Sequence, residues 1–285
     1  MKCENFQKGG AFKARGAMNT VLGLPDSEAA KGVVTHSSGN HGAALALAAR
    51  IRGIPATVVM PANSTKVKKD AVADYGARIE FCAPTMAERD RVARKIRDDT
   101  GGVLVHPFND HRIICGQGTA ALELLEDVAD LDVVIVPVGG GGLLAGTLIA
   151  AKELKPSIRV LGAEPEQADD AFRSWKAGRL VPARDSNTVA DGLRAHIGDV
   201  TFPIIAELVD EIVLVSEDEI IRAMRSLWER AKLVVEPSGA VPLAALLGGR
   251  CADLRGKSVG LILSGGNVDL GALAFGRGKS ANCGP

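Results

Sequence analysis

The chain has 285 residues, 46% hydrophobic and 24% charged, which is ordinary for a soluble globular protein. Its 34 basic and 34 acidic residues balance, and no basic stripe is present, so the composition argues against a nucleic-acid-binding surface. No apolar run reaches the roughly 18 residues that a membrane-spanning helix needs. The five scattered cysteines lack the spacing of a zinc site or a disulfide framework. We therefore expect a cytoplasmic protein that binds neither membranes nor nucleic acids.

Predicted strands and helices alternate along the chain. Short apolar runs without polar alternation predict strands at 32–35, 56–60, 78–82, 103–106, 131–138, 159–163 and 258–263. Helical patterns lie between or after them, at 42–52, 66–75, 86–99, 118–129, 143–154 and 217–230. Strands in which apolar and polar residues do not alternate, separated by helices, are typical of parallel sheets that are buried on both faces. The sequence therefore predicts an α/β fold, with parallel sheets covered by helices on both faces.

Four consecutive glycines, Gly139, Gly140, Gly141 and Gly142, separate the apolar run 131–138 from a predicted helix. Bare backbone N–H groups at a helix N-terminus form a cradle for an anion such as a phosphate group. The spacing is neither the G-x-G-x-x-G dinucleotide fingerprint nor a P-loop. The alternative is a flexible turn, which four glycines in a row make entropically costly.

Small and polar residues also follow other predicted strands. In parallel α/β proteins, ligands bind beyond the carboxyl ends of the strands, so these segments are expected to surround one cleft. The segments are Ser37-Ser-Gly-Asn-His-Gly42, 163–170 and Ser264-Gly-Gly-Asn267, and a further lysine- and glycine-rich phrase covers 7–16.

In this order, the phrase around Lys13, the 37–42 loop, the glycine tetrad and the 264–267 segment resemble the motifs of fold type II pyridoxal-phosphate enzymes. These enzymes form the tryptophan synthase β superfamily, and the pattern is most similar to its serine/threonine dehydratase and serine racemase group. The resemblance covers essentially the whole chain. It implies pyridoxal 5′-phosphate as cofactor, an amino-acid substrate and a homodimer. It also implies a small domain over 30–108 and a large domain formed by 1–29 and 109–285.

The resemblance assigns a role to each matching residue. Lys13 would form a Schiff base with the cofactor and act as base on the substrate Cα, with Lys8 as its nearest rival. The glycine tetrad would bind the phosphate, Asn40 the pyridine 3′-oxygen and Ser264 the pyridine nitrogen. Gly192 and Glu236 would shape the pocket near the ring. Without the resemblance, Asn40 could equally be a turn residue and Ser264 a helix N-cap. The substrate carboxylate would be bound by the loop containing Ser37, Ser38, Gly39, Asn40 and His41.

Ser264 and Ser38 bear on the type of reaction. A hydroxyl cannot keep the pyridine nitrogen protonated as a carboxylate can, so the ring is a weaker electron sink and β-elimination is favoured. Ser38 matches the position that acts as acid and base opposite the lysine in racemases of the group. Because many dehydratases also have a serine there, Ser38 permits racemisation without proving it.

A divalent cation site is implied by Glu164, the carbonyl of Ala168 and Asp170. Oxygen ligands suit Mg²⁺ or Ca²⁺, which would act as a structural or activating ion. The alternative is a pair of acids that interact with the dipole at the start of a helix.

Two features depart from the family pattern. Ala11 stands where a serine or threonine usually precedes Phe-Lys, and this phrase looks most like that of hydroxyaspartate dehydratases. His111 or Arg112 is a candidate partner for the second carboxylate of such a substrate, and the equal alternative is that both are surface residues. The family also has some forty residues before this point, so we expect a truncated chain that is less stable or binds the cofactor poorly.

The leading prediction is a lyase, a dehydratase that converts L-serine or L-threonine to a 2-oxo acid and ammonia. The alternatives within enzymes are 3-hydroxyaspartate dehydration and serine racemisation. The alternative outside enzymes is a non-catalytic cofactor-binding or amino-acid-sensing protein.

Overall fold

The computed structural model describes residues 1–37, 39–64, 66–182 and 184–269. The strands in this part of the chain are β1 Lys2–Cys3, β2 Val33–His36, β3 Ala56–Pro61, β4 Arg78–Cys82, β5 Val103–Leu104, β6 Val133–Pro137, β7 Arg159–Pro165, β8 Glu211–Val215 and β9 Val259–Leu263. The helices are α1 Lys13–Leu22, α2 Asp26–Ala29, α3 Asn40–Arg52, α4 Lys66–Asp74, α5 Met86–Thr100, α6 His111–Asp127, α7 Gly142–Leu154, α8 Asp170–Ala177, α9 Thr201–Leu208, α10 Glu217–Ser226 and α11 Pro237–Leu247.

The strands form two sheets. One has the order β1-β9-β6-β7-β8 and the other β4-β3-β2-β5, and every pairing within them is parallel. The predicted α/β class with parallel sheets is therefore confirmed. The second sheet consists of strands between residues 33 and 104. The division into domains at 29/30 and 108/109 stays a prediction.

Strand β6 shows why the strands lack polar alternation. All five of its residues are buried, and successive side chains enter different cores. Val134 and Val136 belong to the core that includes residues of α6 and α7, whereas Val133 and Ile135 belong to the core that includes residues of α10 and α11. Because both faces of the strand are covered, no position in it favours a polar residue.

Several elements differ from the sequence prediction. Helix α6 begins at residue 111 rather than 118, because the Asp110 side chain accepts a hydrogen bond from the Arg112 N–H at 2.9 Å and caps the helix. The predicted helix 217–230 ends as a regular α-helix at Ser226 and continues as a π-turn, Leu227–Ala231. The sequence prediction also lacks helices α1, α2, α8, α9 and α11 and strands β1 and β8. Across the described residues, no helix combines the length and apolarity needed to cross a membrane.

Candidate active site

A cavity of about 320 Å³ lies beyond the carboxyl ends of β2, β6 and β9. Its lining includes His36, Pro137 and Ser264, which end or directly follow those strands. Three of the predicted loops, 37–42, the glycine tetrad and 264–267, contribute residues to it, as the strand-end argument predicts. The 163–170 segment is not part of the lining, so the expectation that it faces the same cleft is wrong.

Lys13 is the first residue of α1 and lines the cavity. Its Nζ donates a hydrogen bond to the Pro107 carbonyl at 2.7 Å, and burial lowers its pKa to about 8. Helix α1 is anchored two residues further on, where the Arg15 guanidinium donates hydrogen bonds to both Glu4 and Glu123 at 2.6–2.9 Å. A lysine with this pKa has an appreciable neutral fraction near pH 8, as a nucleophile or general base requires.

The glycine tetrad is buried, and close packing requires its lack of side chains. A Cβ on Gly139 would lie 2.9 Å from Leu193 Cα, and one on Gly140 would lie 2.4 Å from the Phe108 ring. Gly141 has φ +88°, in the left-handed region that favours glycine, and precedes the first residue of α7. The flexible-turn alternative is therefore wrong, because the loop is rigidly packed at the start of a 13-residue helix.

Asn40 begins α3 and is held by two polar partners. Its Nδ2 donates to Glu236 Oε1 at 2.8 Å, and its Oδ1 accepts from Asn267 Nδ2 at 3.0 Å. Burial raises the pKa of Glu236 to about 8, and the negative charge of Asp191 adds to this effect. Glu236 is therefore mostly neutral at pH 7, and the pair presents a fixed amide at the cavity wall.

Ser264 is 3% exposed and follows β9. Its carbonyl accepts the Phe12 N–H at 3.0 Å, and Ala11 forms an antiparallel bridge with Gly265. These contacts bring Ser264 beside the chain segment that carries Lys13. No helix begins at Ser264 within the described residues up to 269, so the helix N-cap alternative is wrong.

Of the other predicted pocket residues, Gly192 lies at the cavity and Lys8 does not. Gly192 lines the cavity, and its N–H donates to Ser238 Oγ at 3.0 Å. Its neighbour Asp191 forms an ion pair with Lys68 of α4, and both residues line the cavity. Lys8 does not line the cavity, which favours Lys13 over its rival.

The loop expected to bind the substrate carboxylate borders the cavity through Ser37, Gly39, Asn40 and His41. Ser38 lies outside the described residues, and its predicted role is untested. His41 is 2% exposed. Burial holds the pKa of His41 well below its usual value, so the imidazole is neutral.

Glu164 and Asp170 are buried near the start of α8. Glu164 accepts the N–H groups of Ala171 and Phe172 at 3.0 and 2.8 Å, and Asp170 accepts the Ile197 N–H at 2.8 Å. Burial raises the pKa of both carboxyl groups. This geometry fits the helix-start alternative, and among the described residues no cluster of three or more His, Cys, Asp or Glu side chains is arranged for a metal. The cation site with Ala168 therefore stays a prediction.

Several residues of the cavity lining were not predicted, among them Phe108 and Arg89. Phe108 packs against the tetrad, and Arg89 reaches the cavity from α5, where its Nη2 donates to the Pro84 carbonyl at 3.3 Å and its Nε has no partner among the described residues. The sequence offers no local signal for Arg89, because α5 contains four other basic residues in the same charged pattern. Neither His111 nor Arg112 lines the cavity, and Arg112 pairs with Asp110 at 2.7 Å, so their predicted role in binding a second carboxylate is wrong.

A family model described as "Pyridoxal-phosphate dependent enzyme" matches residues 1–265. The chain belongs to this family of pyridoxal-phosphate-dependent enzymes. It is 54% identical to serine racemase of Arabidopsis thaliana, over 95% of this chain and 83% of that protein. It is 51% identical to β-hydroxyaspartate dehydratase of Paracoccus denitrificans, over 96% of this chain and 87% of that protein. The structure of maize serine racemase superposes with a TM-score of 0.93 at 49% identity, covering 94% of this chain and 83% of that one.

The cavity residues of this chain fit the family's cofactor. An amine with a lowered pKa suits attachment to an aldehyde, and a buried glycine loop at the start of a helix suits a phosphate group. Lys13 would hold the aldehyde carbon and the tetrad the phosphate. Asn40 and Ser264 border the space between them, where the resemblance places the pyridine ring.

Proposed function

We propose that the protein racemises serine and also eliminates water from it, giving pyruvate and ammonia. The observation that carries the proposal is the cavity of about 320 Å³ in which the Lys13 amine and the glycine cradle share one space, in a chain 54% identical to a serine racemase. The identity to a serine racemase supports racemisation over the dehydratase activity that the motifs favour.

Pyridoxal phosphate, when bound, supplies an electron sink that acidifies the substrate Cα–H. The neutral Lys13 amine, available because its pKa is about 8, accepts that proton on one face. The start of α3 and its flanking loop supply backbone N–H groups to the substrate carboxylate.

Racemisation needs a second acid and base on the opposite face. The family pattern assigns this role to Ser38. When Lys13 and Ser38 both act, a proton removed from one face is returned to the other. When Lys13 acts alone, loss of the β-hydroxyl competes, which explains why one site would carry out both reactions.

The test is a paired assay of D-serine by chiral chromatography and of pyruvate, starting from L-serine. Lys13→Ala should abolish both products. Ser38→Ala should suppress D-serine formation and largely spare pyruvate release from L-serine. Wild-type protein that yields a 2-oxo acid and no D-serine would overturn the racemase assignment and restore the dehydratase one.

A second candidate substrate, 3-hydroxyaspartate, is favoured by one further observation. The partly unpaired Arg89 guanidinium at the cavity is suited to bind a second carboxylate. Arg89→Met should raise KM for hydroxyaspartate about tenfold, as expected for the loss of one charge-assisted contact, and leave KM for serine nearly unchanged. Arg94→Met is the matched control, since Arg94 lies on the same helix and pairs with Asp90 at 2.7 Å.

Three further properties remain part of the proposal. The protein is proposed to be a cytoplasmic homodimer, and to bind Mg²⁺ or Ca²⁺ through Glu164, Asp170 and the Ala168 carbonyl. Size-exclusion chromatography with light scattering tests the dimer.

A further inference from the structure

Thr201 lies directly behind the glycine cradle and is fully buried. Its Oγ1 donates a hydrogen bond to the Gly140 carbonyl at 2.8 Å, with the Gly198 carbonyl as a longer second acceptor at 3.2 Å, and accepts one from the Gly198 N–H at 3.1 Å. Thr201 is not among the residues that line the cavity, so the Gly140 carbonyl points away from it. The hydroxyl therefore contacts the loop from the side opposite to the ligand.

This contact sets the direction of a neighbouring donor. In a trans peptide, the C=O and the following N–H point to opposite sides. Anchoring the Gly140 carbonyl on Thr201 therefore turns the Gly141 N–H toward the cavity side. The approach is close, since a Cβ on Gly141 would lie 2.7 Å from Thr201 Oγ1.

The segment that carries Thr201 is itself fixed. Asn109 Oδ1 accepts the Val200 N–H at 2.9 Å, and its Nδ2 donates to Asp199 at 2.6 Å. The Asn109 N–H in turn donates to His106 Nδ1 at 2.9 Å. A continuous set of hydrogen bonds thus connects the chain just after β5 with the back of the cradle.

We infer that Thr201 is a positioning residue for the cofactor phosphate: its hydroxyl holds the Gly140 peptide so that the Gly141 N–H faces the phosphate. The inference rests on cofactor binding and not on which reaction is catalysed. It predicts a defect specific to phosphorylated ligands, which general loosening of the fold would not produce.

The experiment measures the dissociation constants of pyridoxal phosphate and of pyridoxal, which lacks the phosphate, with apo protein. Thr201→Val keeps the shape of the side chain and removes the hydroxyl. It should weaken pyridoxal phosphate binding roughly tenfold, as expected when a buried carbonyl loses its shorter hydrogen bond and keeps only the Gly198 N–H at 3.4 Å, and change pyridoxal binding less than about twofold. Thr201→Ser retains the hydroxyl and should bind both ligands as wild type does.

Thr147→Val is the matched control. Thr147 is equally buried in α7, but its hydroxyl has no hydrogen-bond partner among the described residues, so the ratio of the two constants should not change. If Thr201→Val does not fold, Thr201→Cys replaces it, since a thiol is a weak donor of similar size. This variant should weaken pyridoxal phosphate binding by less than about tenfold and leave pyridoxal binding nearly unchanged.

The inference would be overturned if Thr201→Val or Thr201→Cys weakened the binding of both ligands equally, or left the ratio of the two dissociation constants unchanged. It would also be overturned if the wild-type protein bound pyridoxal phosphate and pyridoxal equally. Absence of D-serine formation with normal ligand affinities would count against the proposed function alone.

Discussion

The Phe108 ring occupies the position that any side chain at residue 140 would need. A Cβ built on Gly140 would lie 2.4 Å from the ring carbons, far inside van der Waals contact. Phe108 is held in turn by His106, whose ring centroid is 4.6 Å away in an edge-on contact. The bare backbone of the cradle is thus a packing requirement as well as a binding one.

Gly140→Ala should therefore both destabilise the protein and reduce cofactor binding. Overpacking of this kind costs about 1–3 kcal/mol in unfolding free energy. Urea denaturation and cofactor titration measure the two effects. The Gly140→Ala/Phe108→Ala double variant should lose less stability than the sum of the single variants, because the second change removes the clash. Strict additivity would contradict the packing argument.

The lowered pKa of Lys13 predicts the pH dependence of cofactor attachment. Only the neutral amine attacks an aldehyde, so the attachment rate should rise with pH and level off above about 8, the pKa of Lys13. Stopped-flow absorbance of apo protein mixed with pyridoxal phosphate follows the reaction. Lys8→Ala should leave the profile unchanged, and Lys13→Ala should abolish attachment. A plateau reached only near pH 10 would argue for an ordinary surface lysine.

Glu236 predicts a pH-dependent stability difference. Its pKa is raised from 4.5 to about 8, so the stability it contributes is full below pH 4.5 and is lost as pH rises toward 8. Glu236→Gln keeps an acceptor for Asn40 and removes the titration. The unfolding free energy of this variant relative to wild type should increase by a few kcal/mol between pH 5 and 8 in apo protein. Glu166→Gln, a half-exposed neighbour of α8, is the control and should show no such trend.

The ion pair between Lys68 and Asp191 predicts an effect on substrate capture rather than on folding. Both side chains are about one-third exposed, so the pair should contribute less than about 1 kcal/mol to stability. Because both residues line the cavity, Lys68→Met should raise KM for serine a few-fold with kcat nearly unchanged. The charge-reversed Lys68→Asp/Asp191→Lys variant should recover part of the loss, and no recovery would argue against the pair.

The cation proposal predicts metal-dependent stability. Glu164 and Asp170 have raised pKa values because both are buried, so a cation that binds them displaces protons. Added Mg²⁺ or Ca²⁺ should raise the melting temperature, and more at pH 8 than at pH 6. Glu164→Gln should remove the increase, which differential scanning fluorimetry detects. An equal increase in wild type and variant would place the cation elsewhere.

Much of the fold follows from local sequence. Strand β6 was predicted because all its residues are apolar, and α7 because a helical pattern follows the glycines. Helix α11 was missed, since Pro242 lies inside it, and a proline normally argues against a helix interior. Its other residues are mostly buried apolar or small ones that pack on the large sheet, and this packing outweighs the local preference.

The sequence by itself determined the bare glycine loop and the alternation of strands and helices, because these depend on residue type and near-neighbour spacing, and the resemblance to a known family singled out Lys13. Only the tertiary structure decided the partners: Asn40 with Glu236, 196 positions apart, Arg89 rather than Arg112 at the cavity, and Thr201 behind the cradle. Such contacts depend on how the carboxyl ends of two sheets meet, and no local pattern records a distance between segments that become neighbours only on folding.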